Sequence, residues 1–487
     1  MIGYILSLVL IFAKMKILKL LVKKEVKIAL RQRLIRIMAV IIMLLLSTAL
    51  WVGYITHKQQ EENVRIAQEQ RRSEWLHQID KNPHTAAHYG TFVFKPKTFL
   101  SLFDFGLDTF TGTSKYLEAH YQHELMFRPA QEYSSTIRFG QLSAALVFQL
   151  LVPLLIIFLS FNSFTSEKES GTLQLLMSQQ VSYGTIATGK IMANLLILFS
   201  VLIPFFVGTL VFSNMHAKVY VIPDISFRVF LLFAIYIIYI IIFVSLSVWV
   251  SMLAKTGRNS LLILLSTWVF FTIIVPKISS NLGAQITSLP SLKIFRNDIA
   301  YDIENGLGDD LSASERKKEL ENIYLKKYQK DSLHQLPLNF LGISLQAGED
   351  YASKVYDHHW KKLEETIKKQ NVIGSWASFM SPYVALRNLS MGLTSTDVHA
   401  YFHFHRNTEA YRRSLVRKMN MDLAENSRNG QFYEYKADEG LWKTIAPFKY
   451  TTISVSRVIA SYYIEIVAII TWIMLLFFVM YNYSKKN

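Results

Sequence analysis

The sequence predicts an α-helical integral membrane protein, with six transmembrane helices and two large extracytoplasmic, mainly helical insertions. Three observations carry this. Hydrophobic residues make up 51% of the 487-residue chain and charged residues only 18%, below the rough quarter usual in soluble domains. Six apolar segments are long enough to cross a hydrocarbon core about 30 Å thick. The basic residues that closely flank these segments fall on one side when six helices alternate, and that side is expected to be cytoplasmic. Cysteine is absent, which excludes disulfides, Cys-ligated zinc and thiol catalysis.

Taken in order, residues 1–35 are expected to form an interfacial amphipathic helix, basic from Lys14 onward. The apolar run Met1–Ala13 is too short to span and has neither a basic leader nor a small-residue cleavage site; Met15 is a second candidate start. The first span is expected at 36–56, followed by an insertion over 57–139. That insertion begins helically and then carries Phe92, Phe94, Phe99, Phe103, Phe105 and Phe110, a density that points to a packed core or a lipid-contacting patch. Spans two and three, at 140–160 and 186–212, enclose a cytoplasmic segment, 161–185. Spans four and five are expected at 227–253 and 260–276. The second insertion, 277–457, contains Ser312–Lys330 and Ala352–Gln370, charged segments with an apolar period near 3.6. Span six, at 458–481, closes the chain with both termini in the cytoplasm of a multi-pass inner-membrane protein. The formal charge of +16 sits beside spans and across the insertions rather than along one stripe. Membrane lipid, not nucleic acid, is therefore the expected anionic partner.

Segment 161–185 is longer than a connector requires. It runs through Glu167-Lys168-Glu169-Ser170-Gly171-Thr172-Leu173, then Leu175-Leu176, a polar turn ending at Val181-Ser182, and Gly189-Lys190 at the mouth of span three. This pattern resembles the cytoplasmic coupling region of ABC-2 type transporter permeases, with Gln179-Gln180 standing where that family often has a Ser/Pro-type turn. The resemblance implies an ATPase-coupling set of Glu167, Glu169, Gly171, Thr172, Leu173, Leu176 and Ser182, with the two carboxylates exposed at the rim of a docking surface. It also implies a cytoplasmic ABC ATPase dimer that carries the ATP and magnesium, and a second permease subunit, identical or related. The cargo is unnamed, and the resemblance leans toward export or extraction from the membrane. Residues 381–420 further resemble an outer domain of unknown function built into a subset of such permeases. They match at Ser381-Pro382, Ala385-Leu386-Arg387, Leu389-Ser390-Met391, Thr396-Asp397, Phe404 and Tyr411-Arg412-Arg413. The competing reading is a membrane-anchored binding or sensory protein without transport activity.

Other motifs weigh less. Gly184 to Lys190 fits G-x-x-x-x-G-K, but Ile191 stands where a phosphate loop needs Ser or Thr for magnesium; Lys190 is expected to anchor span three at the headgroups. His399, His403 and His405 form an H-x-x-x-H-x-H cluster, with His358-His359 upstream. This is a weak metal candidate, because histidines in a Tyr/Phe-rich helix serve more often in packing. His123-Glu124 lacks the second His of a zinc-protease helix. No catalytic set stands out, so hydrolysis is expected on a separate subunit. Glu465 lies within span six, where an ionisable group is costly unless paired or wet. It is expected at a subunit interface or on the translocation route, near Arg457. Asn194 and Gln149 are weaker candidates of the same kind, with interhelical hydrogen bonding as the plainer reading.

Overall fold

The computed structural model describes residues 2–126, 142–216 and 224–486; the expected boundary between the first insertion and span two, at 139/140, lies outside them. Among the described residues, six helices are long and apolar enough to cross a membrane: Arg33–Leu76, Ala144–Glu169, Tyr183–Phe212, Ile225–Leu253, Gly257–Ile286 and Tyr463–Lys485. The bundle core is built from Phe148, Phe205, Tyr236, Phe243 and their aliphatic neighbours. Tyr236 and Tyr239, fully buried there, satisfy their hydroxyls on Gln149 and the Gln149 carbonyl, as buried polar groups in hydrocarbon must. A π-helical turn at Val147–Leu151 interrupts span two and presents Gln149 to this pair.

The N-terminal helix, Ile2–Arg31, breaks at Gln32 and lies along span three. Gly189 allows the approach: a Cβ there would come 3.1 Å from Leu21 Cβ. The helix of the first span does not stop at residue 56. It continues unbroken for 44 residues to Leu76, about 66 Å at 1.5 Å per residue. Its C-terminal half is a charged stalk held by Arg65–Glu62, Arg65–Glu69 and Arg71–Glu74 pairs, the i,i+3 and i,i+4 spacing that supports an exposed helix.

The stalk ends on a domain made from both insertions. Arg72 donates to the Ile445 carbonyl at 2.7 Å and Trp75 Nε1 to the Trp442 carbonyl at 3.0 Å. Strand β1 (Thr91–Phe94) pairs antiparallel with β2 (Ser114–Leu117), so the first insertion includes a sheet beside its helices. Ala86, Ala87 and Ala119 share one core with Leu415, Met419 and Trp442, and Val93 and Leu117 share another with Phe404. Two segments far apart in sequence thus fold as one body. In the second insertion, helices Phe340–Trp376 and Val398–Asn426 pack together closely. A Cβ on Gly342 would meet Asn420 and Ala424 backbone atoms under 3.0 Å away. The charged segments expected at Ser312–Lys330 and Ala352–Gln370 are helical, within Ala313–Tyr328 and Phe340–Trp376.

Part of this two-insertion domain packs into the bundle. Helix Pro382–Thr394 packs on spans four and six with Leu386, Leu389 and Leu393 in the bundle core. Phe103, from the Phe-rich stretch, stacks with Phe148 in the same core, whereas Phe110 is exposed. Fully buried Arg228, at the start of span four, donates to the Leu393 and Ile453 carbonyls.

Candidate functional site

Between spans two and three the chain makes two short helices, Thr165–Glu169 and Thr172–Ser178, joined at Gly171. Gly171 has φ of 72°, a left-handed conformation that glycine adopts without steric cost. The second helix turns one edge inward: Leu173 is buried with Leu21, Phe164, Val181 and Ile186, and Leu176 and Met177 pack on that cluster. Its outer edge is bare, with Leu175 62% exposed and Gln174, Thr172, Ser178 and Gln179 around it. Ser182 caps the next helix, accepting from the Thr185 amide at 3.3 Å.

The two carboxylates of this segment have different environments. Glu169 is exposed and accepts from the Gly257 amide at 2.9 Å, at the start of span five. Glu167 is not a rim residue: it is 6% exposed and its oxygens lie 2.7 Å from Lys24 Nζ and 3.3 Å from Lys190 Nζ. Lys190 is 3% exposed and also meets Glu25 at 2.9 Å, so it is an internal ion-pair partner and not a headgroup anchor. Burial works against the Lys24 ammonium, but Glu167 and Glu25 outweigh it and raise its pKa. Four charges from the N-terminal helix, the segment between spans two and three, and span three thus form one network. Lys168 reaches back to the Met252 and Ala254 carbonyls at the end of span four. An apolar cleft of about 610 Å³ opens next to this region, between the N-terminal helix and spans three, four and six, with Ser182, Ile242 and Phe477 in its wall.

A family profile described as ABC-2 family transporter protein matches residues 20–420. The chain belongs to the ABC-2 transporter family. It is accordingly a membrane permease of an ABC transporter, a family whose members work with an ABC ATPase and whose membrane subunit is not itself the enzyme. A comparison with curated proteins gave no match.

The remaining sequence candidates of this ABC-2 permease fall elsewhere. Asn194 Nδ2 donates to Ser160 Oγ at 2.9 Å between spans two and three, and Gln149 Nε2 to Tyr236 at 2.9 Å between spans two and four. Both are interhelical hydrogen bonds. Tyr236 continues to Ser390 Oγ at 2.9 Å and Ser390 donates to Asp104 at 2.5 Å, a polar chain from the bundle core into the domain built by the two insertions. Glu465 is 1% exposed inside its own subunit and accepts from Ser375 at 2.6 Å and Asn388 at 3.0 Å. Arg457 is not among the partners that hold it. The Gly184–Lys190 motif lies within a continuous helix and forms no phosphate loop. His399, His403 and His405 do not converge: His399 packs on Tyr462, His403 bonds Tyr450 at 3.0 Å, and buried His405 sits against Trp360 and Lys115. Lys24 and Glu25 had no signal of their own in the sequence, being two charges among many in a basic helix.

Proposed function

We propose that this chain is the membrane-spanning subunit of an ATP-driven exporter or extractor, moved by a separate cytoplasmic ATPase dimer that docks on Thr172–Ser178. Both termini and this segment lie on the cytoplasmic face of the inner membrane, and a second permease subunit, identical or related, completes the conduit. The supporting observation is the two-sided build of the short helix. Its inner edge is fixed by Leu173, while Leu175 stands exposed in a polar surround, the form of an apolar anchor for a partner groove. Through Glu167 the segment is tied to the N-terminal helix and to span three. A push on Leu175 is thereby delivered to several helices at once, the differential contact a two-state bundle needs. ATP and magnesium belong to the partner.

The test is co-purification of the permease with an ABC ATPase from its own cells, comparing wild type with Leu175→Glu. The expected result is loss of the ATPase and of its stimulation, with the variant permease still monodisperse in detergent. Wild-type co-purification and stimulation in Leu175→Glu would move the docking site off Thr172–Ser178, whereas wild-type permease that binds no ATPase would favour the anchored-receptor reading.

A further inference from the structure

Three histidines meet on the outer domain. His84 and His88 occupy one face of helix Pro83–His88, four residues apart, and His120 follows strand β2. His84 Nε2 lies 3.1 Å from His88 Nε2 and 3.3 Å from His120 Nε2. Metal-bound imidazoles at about 2.0–2.1 Å from a tetrahedral zinc put their nitrogens roughly 3.3 Å apart.

The surroundings fix which nitrogens are bare. His84 Nδ1 faces Asn420 Oδ1 at 2.9 Å, and Asn420 donates through Nδ2 to Gln346, which in turn donates to Asp350. This chain sets the Asn420 amide with its oxygen toward His84, so His84 carries its proton on Nδ1. His120 Nδ1 is 2.5 Å from Glu349 Oε1 and its backbone amide donates to the same oxygen at 2.7 Å, which places the His120 proton on Nδ1 as well. Two Nε2 lone pairs then point at each other, an arrangement that a cation held between them would relieve. Carboxylate and amide partners on the far nitrogens are what metal-bound imidazoles ordinarily have. His120 also holds φ of 65°, a conformation uncommon outside glycine, stabilised by the double contact with Glu349.

We propose that His84, His88 and His120 bind a divalent transition-metal cation, zinc, with its fourth position open to solvent. An all-imidazole set suits zinc or copper and not magnesium or calcium. His84 is buried, while His88 and His120 are exposed, so the site has an entry side. The ligands come from the first insertion, whereas Glu349 and Asn420 come from the second. Metal binding would therefore clamp the two insertions together. Glu349 continues through Arg412 at 3.1 Å to Glu409 and Lys115, so the site is joined to the ion network of the domain core.

The test uses full-length protein in detergent, purified without a polyhistidine tag, stripped with a chelator and titrated with zinc against a chromogenic zinc indicator. Wild type should retain one zinc per chain after desalting, and magnesium should not compete. His88→Ala, at an exposed position, should lower zinc affinity at least tenfold, and Glu349→Gln should lower it about 10–100-fold. The double variant His84→Ala/His120→Ala should hold none. His358→Ala, exposed on another helix, should bind as wild type does, which controls for surface imidazoles. Zinc should raise the unfolding midpoint of wild type and leave that of His88→Ala unmoved. Binding at millimolar zinc only, or equal retention by wild type and His88→Ala, would overturn the site and leave a proton shared among the rings.

Discussion

Lys24 Nζ lies 2.7 Å from Glu167 Oε1, joining the N-terminal helix to the segment between spans two and three. Glu167 also neutralises Lys190, which is nearly inaccessible. Removing one member of a buried pair leaves the other uncompensated, and this costs more than the pair contributes. Glu167→Lys should therefore destabilise the permease itself, by about 2 kcal/mol or more, and not merely weaken a partner. The readout is the midpoint of thermal unfolding in detergent. Adding Lys24→Glu should recover part of the loss; no recovery in the double variant would show that the pair is not coupled.

Orientation is open to direct labelling, because the chain has no cysteine. Gln179 in the coupling segment and Lys361 on the long outer helix are both exposed. An impermeant thiol reagent applied to cells with outer-membrane access should label Lys361→Cys and spare Gln179→Cys until the membrane is permeabilised. Equal labelling of the two would defeat a six-span arrangement with a cytoplasmic coupling segment.

Much of the fold was legible because hydrocarbon imposes length and polarity limits on each span independently. The short helix Thr172–Ser178 was legible for a related reason: Gly171 and the Leu173, Leu176 spacing encode it locally. What escaped were facts of long-range packing. Glu167 reads as a rim carboxylate until Lys24 and Lys190 are brought to it from 143 residues before it and from the next span. Glu465 reads as an open-face residue until Ser375 and Asn388 cover it. The union of the two insertions rests on contacts such as Lys81 with Ala437, between segments that carry no mutual periodicity. His84 and His88 show metal-ligand spacing in the sequence, but nothing there brings His120 to them.

Within the domain built by the two insertions, Lys115 and Glu409 lie 2.5 Å apart with Arg412 on the other carboxylate oxygen at 2.8 Å. Burial alone would raise the Glu409 pKa, yet Lys115 and Arg412 hold it down to about 2. A carboxylate depressed in this way stabilises the fold above its unfolded value of 4.5, and that stabilisation is lost as pH falls through the folded value. The wild-type unfolding midpoint should therefore decline between pH 4.5 and about 2. Glu409→Gln strands Lys115, which is inaccessible to solvent, and should cost about 3–5 kcal/mol at neutral pH. It should also flatten this part of the acid decline. An unchanged profile in Glu409→Gln would show that the pair does not govern acid stability.

Glu465 tests whether a carboxylate inside span six serves structure or transport. Its Oε1 accepts two hydrogen bonds, from Ser375 and Asn388, while Oε2 is buried without a hydrogen-bond partner among the described residues. Glu465→Gln keeps an acceptor for both donors and removes the charge. Glu465→Leu leaves Ser375 and Asn388 without it, at about 1–3 kcal/mol for each group left unsatisfied in a buried site. Because Glu465 is already 1% exposed within a single subunit, the expected outcome is structural. Glu465→Gln should keep both the unfolding midpoint and stimulation of the ATPase near wild type, and Glu465→Leu should lower the midpoint. The opposite split, a stable Glu465→Gln permease that no longer stimulates ATP hydrolysis, would show that the ionised carboxylate takes part in the transport cycle itself.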